Sequence, residues 1–433
     1  MSKLTRILEY LLYFFVFLLP WQTRLIYQEF FIHGQPFEYG RLSLYVTELL
    51  LELIILLGLV FIFKKTDFIT TKIKKYSLKR LFFLGLGLIL CAINILLAVS
   101  PTLAFYKATQ LILALCFFLL LLIAPTDFKK LSWAYIYSAI IQSILALQQF
   151  SSQKIDAYVW LGISAQDPSI LGTPVVLTSA GRWLRSFGAF PHPNMLAGFL
   201  VLALIIIFFL SLKSESSKDK NKLLLSFVVI FLALLTTLSR AAILGVTLIF
   251  ITSLFFTAKK IEWQKKTTRW VILMFVISIF FTTSYPNLVF TRVTSNNNIE
   301  QKSNAERISQ YQEWLTTFKE NPLFGVGLGN YPLSLRNIKP GLESWDYQPI
   351  HNTFLLVIAE IGIIPLAYLI FVFIYYSRNR KLRFPLSVLP LLFLVFMFLF
   401  DHYWWSFYTG LMLMSFVLAF TIILWREDKN NKK

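Results

Sequence analysis

The run MLAGFLVLALIIIFFLSL, residues 195–212, holds no charged residue. A bilayer core of about 30 Å needs about 20 apolar residues per helix, so this stretch reads as a membrane span. Runs of the same character precede it at residues 8–19, 45–63, 81–98, 103–124 and 131–147. Others follow at 223–238, 241–256, 270–285, 353–376, 384–400 and 406–425. The expectation is an all-α integral membrane protein with about twelve transmembrane helices. Composition agrees: 57% of the 433 residues are apolar and 15% charged, whereas soluble domains carry about 25% charge. A mean hydropathy of +0.66 excludes a disordered chain as well. The first run follows Lys3 and Arg6, but Pro20-Trp21-Gln22 is no small-residue cleavage site, so it is kept as a helix.

The net charge of +19 could point to nucleic acid. However, the basic residues sit in short strings between apolar runs rather than on a soluble face, which excludes that partner. By the positive-inside rule the inner connections are those holding Lys64, Lys65, Lys72, Lys74, Lys75, Lys79 and Arg80, then Lys129 and Lys130. The later ones hold Lys213, Lys218, Lys220 and Lys222, then Lys259, Lys260, Lys265, Lys266 and Arg269. Arg378, Arg380, Lys381 and Arg383 close the last inner connection, and Arg426, Lys429, Lys432 and Lys433 lie in the tail. Both termini are then cytoplasmic. The outer set is instead rich in arginine (Arg24, Arg41, Arg182, Arg185, Arg240, Arg292, Arg307 and Arg336), and His33, His192, His351 and His402 all map outside. Arginine's planar fork binds phosphate in bidentate fashion, where lysine acts as a point charge. The alternative for each is an ion pair within a folded loop.

Two outer connections are long, 148–194 and 286–352, the second lying between spans nine and ten. No inner connection exceeds a basic string and no G-x-x-x-x-G-K-[ST] occurs, which excludes an ATP-driven pump. Cys91 and Cys116 lie inside apolar runs and give neither a disulfide framework nor zinc spacing. No outer carboxylates cluster at metal-ligand spacing.

In the larger loop, Ser303-Asn-Ala-Glu306 fits a capping box that starts a helix. Ile308, Tyr311, Leu315 and Phe318 recur at helical spacing with Trp314 beside them, and Asn321-Pro322 stops the run. The reading is an amphipathic helix at headgroup level. Arg307 would stand in its first turn, where an anion could bridge it to the helix amides; the alternative is a salt bridge to Glu306 or Asp346. Gly325, Gly327 and Gly329 read as a tight backbone passage rather than a dinucleotide loop. His351 precedes Asn352 and Thr353, either a competent N-cap, and so stands at the membrane boundary, as an anchor or as a general base. Glu360, half a helical turn away from His351, is an intramembrane carboxylate that needs a partner. Arg240 lies between two short apolar runs, recessed below the outer surface and in need of a counter-anion. Arg182, Arg185, His192 and Asn194, among three aromatic residues, describe a site for a sugar carried on a phosphate.

Arg185-Ser-Phe-Gly with His192-Pro-Asn194, Ser239-Arg240, Arg307 with Tyr311 and Trp314, residues 321–330, and His351-Asn-Thr-Phe-Leu with Glu360-Ile-Gly362 together resemble the O-antigen ligase and O-antigen polymerase family of bacterial membrane glycosyltransferases. The resemblance covers roughly residues 185–365. It implies a GT-C-like helical fold with one large periplasmic loop and an undecaprenyl-diphosphate-linked oligosaccharide as donor. It further implies a glycan or glycolipid acceptor and membrane lipids as partners, with no cofactor and no metal. By position, Arg240 and Arg307 look like the diphosphate-binding pair and His351 like the residue activating the acceptor hydroxyl. Arg182, Arg185, His192, Asn194, Tyr311, Trp314 and Asn352 are candidate donor or acceptor contacts. The rival reading is a multi-span transporter or flippase of lipid-linked glycans, which would place its polar residues at mid-depth. A second rival is a non-catalytic scaffold for envelope assembly.

Overall fold

The computed structural model describes residues 3–64, 78–179, 181–294, 298–378 and 386–430. The basic positions Lys65, Lys72, Lys74, Lys75, Arg380, Lys381, Arg383, Lys432 and Lys433 lie outside them. Helix α1 spans Lys3–Phe17, α2 Val46–Lys64, α3 Leu78–Leu96, α4 Pro101–Ile123 and α5 Phe128–Ser152. Helices α6 (Pro193–Lys213), α7 (Ser217–Thr236), α8 (Arg240–Thr257) and α9 (Ile261–Ser284) follow. The large loop folds into α10 (Pro286–Thr294), α11 (Asn298–Glu320) and α12 (Tyr331–Ile338). Helices α13 (Thr353–Ile361), α14 (Ile363–Ser377), α15 (Leu389–Phe398), α16 (Tyr403–Ser406) and α17 (Tyr408–Asn430) complete the chain.

Most of the described part of each expected apolar run is helical. Among the described residues, seven helices (α2, α4, α5, α6, α8, α9 and α17) are long and apolar enough to cross a membrane unaided, so the chain is a multi-pass membrane protein. The apolar part of α3 (Leu81–Leu96) and α15 together with the 3-10 turn before it (Leu386–Phe398) are shorter, and the first turn of α7 holds the charged Lys218-Asp219-Lys220. The expected single span over 353–376 is instead two helices, α13 and α14, bent by 114° at Gly362.

The connections are not purely helical either. Strands β1 (Arg24–Gln28), β2 (Phe31–Ile32), β3 (Gln35–Pro36), β4 (Leu42–Tyr45), β5 (Val175–Thr178) and β6 (Gly181–Leu184) form three two-stranded antiparallel ladders, β1–β4, β2–β3 and β5–β6. The cause is local. His33 and Gly34 both take positive φ, 50° and 79°, which gives the two-residue turn that matches the twist of a hairpin.

Helix α6 is the central pillar. It is apolar around its whole circumference and is entirely buried within the protein, as a helix without a polar face must be. It packs against α5, α7, α8, α9, α15 and α17. Tyr135 of α5 meets its Phe199 at 4.5 Å in a tilted contact, and its Phe208 meets Phe250 of α8. Its C-terminal end meets the lysine-rich turns, and its N-terminal end begins at His192.

The glycine passage is the other organiser. Gly325, Gly327, Gly329 and Gly362 all have positive φ, 69°, 97°, 70° and 75°. A Cβ on Gly325 would meet the carbonyl oxygens of Ala359 and Glu360, and one on Gly362 the carbonyl oxygen of Leu323. The passage is a backbone contact, as the sequence implied. Val326 N–H donates to Ala359 O at 2.9 Å and Gly327 N–H to Glu360 O at 3.0 Å. In return Ile363 and Ile364 donate to Pro322 O and Leu323 O. Asn94 Nδ2 donates to Phe324 O and Glu360 O at 2.8 and 2.9 Å. The broken helix therefore keeps its carbonyl groups paired, which a bilayer requires.

Gly362→Ala and Gly325→Ala are expected to destabilise the protein by at least about 1–3 kcal/mol through the left-handed backbone alone. Thermal unfolding in detergent is the check. Gly85→Ala serves as the contrast, since it lies in α3 with open space at its Cβ, and alanine there gains up to about 1 kcal/mol of helix propensity. A Gly362→Ala midpoint equal to that of the unaltered chain would contradict this account of the passage.

Candidate active site

The N-terminal end of the pillar gathers polar side chains from four parts of the chain. His192 precedes α6, and its Nδ1 accepts the backbone N–H of Asn194 at 3.1 Å. Asn194 Nδ2 donates to Asp401 Oδ2 at 2.8 Å, while Asn194 Oδ1 accepts from an Arg185 guanidinium nitrogen at 2.8 Å. Asp401 also accepts the backbone N–H of His402 at 2.8 Å, and its carbonyl accepts the Thr353 hydroxyl at 2.6 Å. The rings of His402 and His351 meet edge to face at 5.2 Å. The Asp401 carboxylate thus accepts from Asn194 and from the His402 main chain, with the three histidines within reach of its charge; hydrogen bonds to an ionised group contribute about 1.5–3 kcal/mol each.

His351 has a defined tautomer. Gln310 Oε1 accepts the His351 backbone N–H at 3.2 Å and lies 3.0 Å from Nδ1. An amide oxygen can only accept, so Nδ1 carries the proton and Nε2 presents its lone pair. Gln310 stands three residues after Arg307, on the same side of α11.

Burial lowers the pKa of His351; the charge of Asp401 pulls it back up and that of Arg307 lowers it further. Burial likewise pushes His402 down to about 3 against the opposing charge of Asp401. His192 moves the same way, through burial and then Arg185. Burial raises the Asp401 pKa, whereas positive charge on a neighbouring histidine and the hydrogen bond from Asn194 lower it, with the net result below its ordinary value. At neutral pH the site therefore contains one carboxylate and three neutral imidazoles.

A second arginine-rich motif adjoins this cluster at the break between α7 and α8. Leu238 takes a positive φ of 50° there, an uncommon conformation for a branched residue. The exposed carbonyls find donors from elsewhere: Ser186 N–H reaches Thr236 O at 3.3 Å, and Arg185 Nε reaches Thr237 O at 2.7 Å. Arg292 donates to Leu238 O at 3.2 and 3.0 Å. Arg240 then opens α8, whose N-cap Ser239 makes no side-chain capping bond. Its guanidinium donates to Arg292 O at 3.5 Å.

The sequence-predicted residues separate accordingly. Arg185, His192, Asn194 and His351 converge on the cluster, and Arg307 acts on His351. Arg182 is a loop tie that donates to the carbonyls of Pro168 and Ile170. Trp314 Nε1 donates to Leu355 O at 2.7 Å and the ring stacks on Phe318, which pins α11 to α13. Tyr311 stays exposed. Asn352 is the cap of α13 and accepts Leu355 N–H at 3.0 Å.

One expectation is corrected. Helix α11 starts at Asn298, five residues before Ser303, so Ser303 is not its N-cap and Arg307 lies in the third turn, away from unpaired amides. Neither Glu306 nor Asp346 bridges Arg307 among the described residues. Arg240 is exposed at the protein surface.

Sequence reasoning missed Asp401 and Gln310. Asp401-His402 is a polar pair between two apolar runs, which was the available signal for Asp401; nothing local marks Gln310. Glu360 finds its partner in Trp405 Nε1 at 2.7 Å, and Lys107 Nζ nearby donates to Ser406 O at 2.7 Å. Phe407, stacked on His402 at 6.3 Å, walls a cleft of about 500 Å³ together with Arg24, Glu38 and Pro191. That volume suits a small-molecule site. Among the described residues, no group of three His, Cys, Asp or Glu side chains is arranged to hold a metal ion.

Residues 225–370 match the family model described as O-Antigen ligase. The match contains Arg240, Arg307, Gln310, His351 and the glycine passage, and it ends before Asp401. No curated protein matches the chain.

Because His402 and His192 are neutral when folded and have an ordinary value of 6.5, the unfolded chain binds protons there that the folded chain does not. Their contribution to stability is complete above pH 6.5 and is lost as pH falls from 6.5 toward about 3. Thermal midpoints measured at pH 7, 6 and 5 should decline, and His402→Asn should flatten the decline.

Proposed function

We propose that this chain, which matches the O-antigen ligase family model over residues 225–370, is a glycosyltransferase of the bacterial cytoplasmic membrane. It moves a glycan from undecaprenyl diphosphate to an acceptor hydroxyl at the extracytoplasmic face, in the synthesis of cell-surface polysaccharide or lipopolysaccharide. The observation that carries this reading is the His351 tautomer. Gln310 holds Nδ1–H, so the free Nε2 can take a proton, and depressed basicity keeps the ring neutral at working pH.

The acceptor O–H gives its proton to Nε2 while its oxygen forms a bond to the anomeric carbon. The bond from that carbon to the diphosphate oxygen breaks with inversion, and the electron pair leaves on the diphosphate. Arg307 and Arg240 neutralise that developing charge, Arg307 from beside His351 and Arg240 from a helix N-terminus. The step needs neither metal nor nucleotide. Arg185, His192 and Asn194 hold Asp401, which faces the histidines and favours the transient imidazolium. Residues 286–352 form the large extracytoplasmic loop that carries both Arg307 and His351, and 148–194 forms the other. Both termini are cytoplasmic in this arrangement of about twelve spans.

Reconstituted transfer from an undecaprenyl-diphosphate-linked donor tests the scheme. His351→Gln should lower the rate by about 10²–10⁴, and Arg240→Lys and Arg307→Lys should each weaken transfer despite keeping the charge. The acid limb of the pH–rate profile should fall below 6.5, since burial lowers the His351 value. Near-normal activity in both lysine variants would refute the bidentate role, and translocation without bond formation would favour a flippase. Glycans from a deletion strain separate the two chemistries: single unextended units mark a polymerase, and full chains left on the carrier lipid mark a ligase.

A further inference from the structure

The cations at the far end of the bundle exceed what an orientation signal requires, because four of them line one groove. It runs between α7 and α9 and encloses about 650 Å³. Lys220, Lys265, Lys266 and Arg269 rim its mouth against the single carboxylate of Glu262. Lys266 is committed to the protein: it pairs with Glu262 at 3.3 Å and donates to Leu212 O at 3.1 Å, which closes the end of the pillar. Lys220, Lys265 and Arg269 are exposed and, among the described residues, have no carboxylate partner.

Behind the cations lies the buried Trp270, its Nε1 donating to Ser211 Oγ at 2.9 Å. The floor beyond is apolar, and Leu224, Ile272 and Val276 are 46%, 56% and 55% exposed. From Lys265 to Val276 the helix climbs about 16 Å, close to half the roughly 30 Å hydrocarbon core. The order is a charged layer, a buried indole and an apolar trough about as long as one leaflet is deep. A free phosphate would satisfy only the first of these.

We infer that the groove between α7 and α9 is a binding site for an anionic two-chain phospholipid of the leaflet at the lysine-rich end. The phosphate sits among Lys220, Lys265 and Arg269 while an acyl chain covers Leu224, Ile272 and Val276. Basic pockets between membrane helices recognise such headgroups by charge. The lipid would join α7 and α9 at the end opposite to Arg240.

Native mass spectrometry of the full chain in detergent tests this with dioleoyl phosphatidylglycerol, tetraoleoyl cardiolipin, dioleoyl phosphatidylcholine and inorganic phosphate as probes. The anionic lipids should bind at least about tenfold more tightly than phosphatidylcholine. Lys220→Gln/Lys265→Gln/Arg269→Gln should remove that preference. Val276→Trp keeps every charge and fills the trough, and it should lower lipid retention as well. Equal binding of phosphatidylcholine would overturn the site, as would unchanged binding in both variants or displacement of the lipid by millimolar phosphate. The readout involves no sugar transfer, so it stands or falls apart from the glycosyltransferase reading.

Discussion

A break in a helical path leaves carbonyl groups without intrahelical donors, and where water does not reach them the chain itself must supply others. Two interruptions of this kind govern the protein. At the α7–α8 break the carbonyls of Thr236, Thr237 and Leu238 are met by Ser186 N–H, Arg185 and Arg292. At the α13–α14 break those of Ala359 and Glu360 are met by Val326, Gly327 and Asn94. Each repair draws a distant segment across the bundle, and both repairs lie at the end that holds the histidines. The geometry of the site follows from how the backbone stays paired.

The same constraint gives the arginines different duties. Arg185 and Arg292 serve main-chain oxygens, Arg182 ties a loop, Arg41 pairs with Glu29, and Arg24 donates to Tyr45. Arg307 instead acts on His351 from the large loop, and Arg240 stands exposed at a helix start. Around Asp401 the electrostatics are asymmetric. Burial strips protons from the imidazoles, whereas the Asn194 amide and the His402 main-chain N–H stabilise the ionised carboxyl. Neutral bases beside a fixed negative charge are arranged to accept a proton and to stabilise the cation that results.

The apolar runs, the glycine passage and the helix over 308–318 were legible in the sequence because each rests on local patterning: run length, φ requirement and 3.6-residue period. The start of α11 was not, since a capping-box pattern can occur within a longer helix. The bend at Gly362 was hidden inside an apolar run that reads as continuous, because its cause is the carbonyl oxygen of Leu323, far away along the chain. Arg185, His192, Asn194 and His351 were recognisable by residue type, but the carboxylate that unites them comes from a loop 207 positions beyond Asn194. The short ladders in 24–45 depend on the turn at His33-Gly34, which hydropathy does not register.

The pillar α6 touches protein on every side. Peripheral helices adjust to a thicker or thinner bilayer by tilting, at a fraction of a kcal/mol per ångström of mismatch. A helix with no lipid contact does not feel that force directly. His192 and Asn194 ride on its first turn, so their elevation is set by the packed interior rather than by the surrounding acyl chains. Membranes that differ in sterol-like lipids, chain length or growth temperature would then leave the depth of the histidine cluster unchanged.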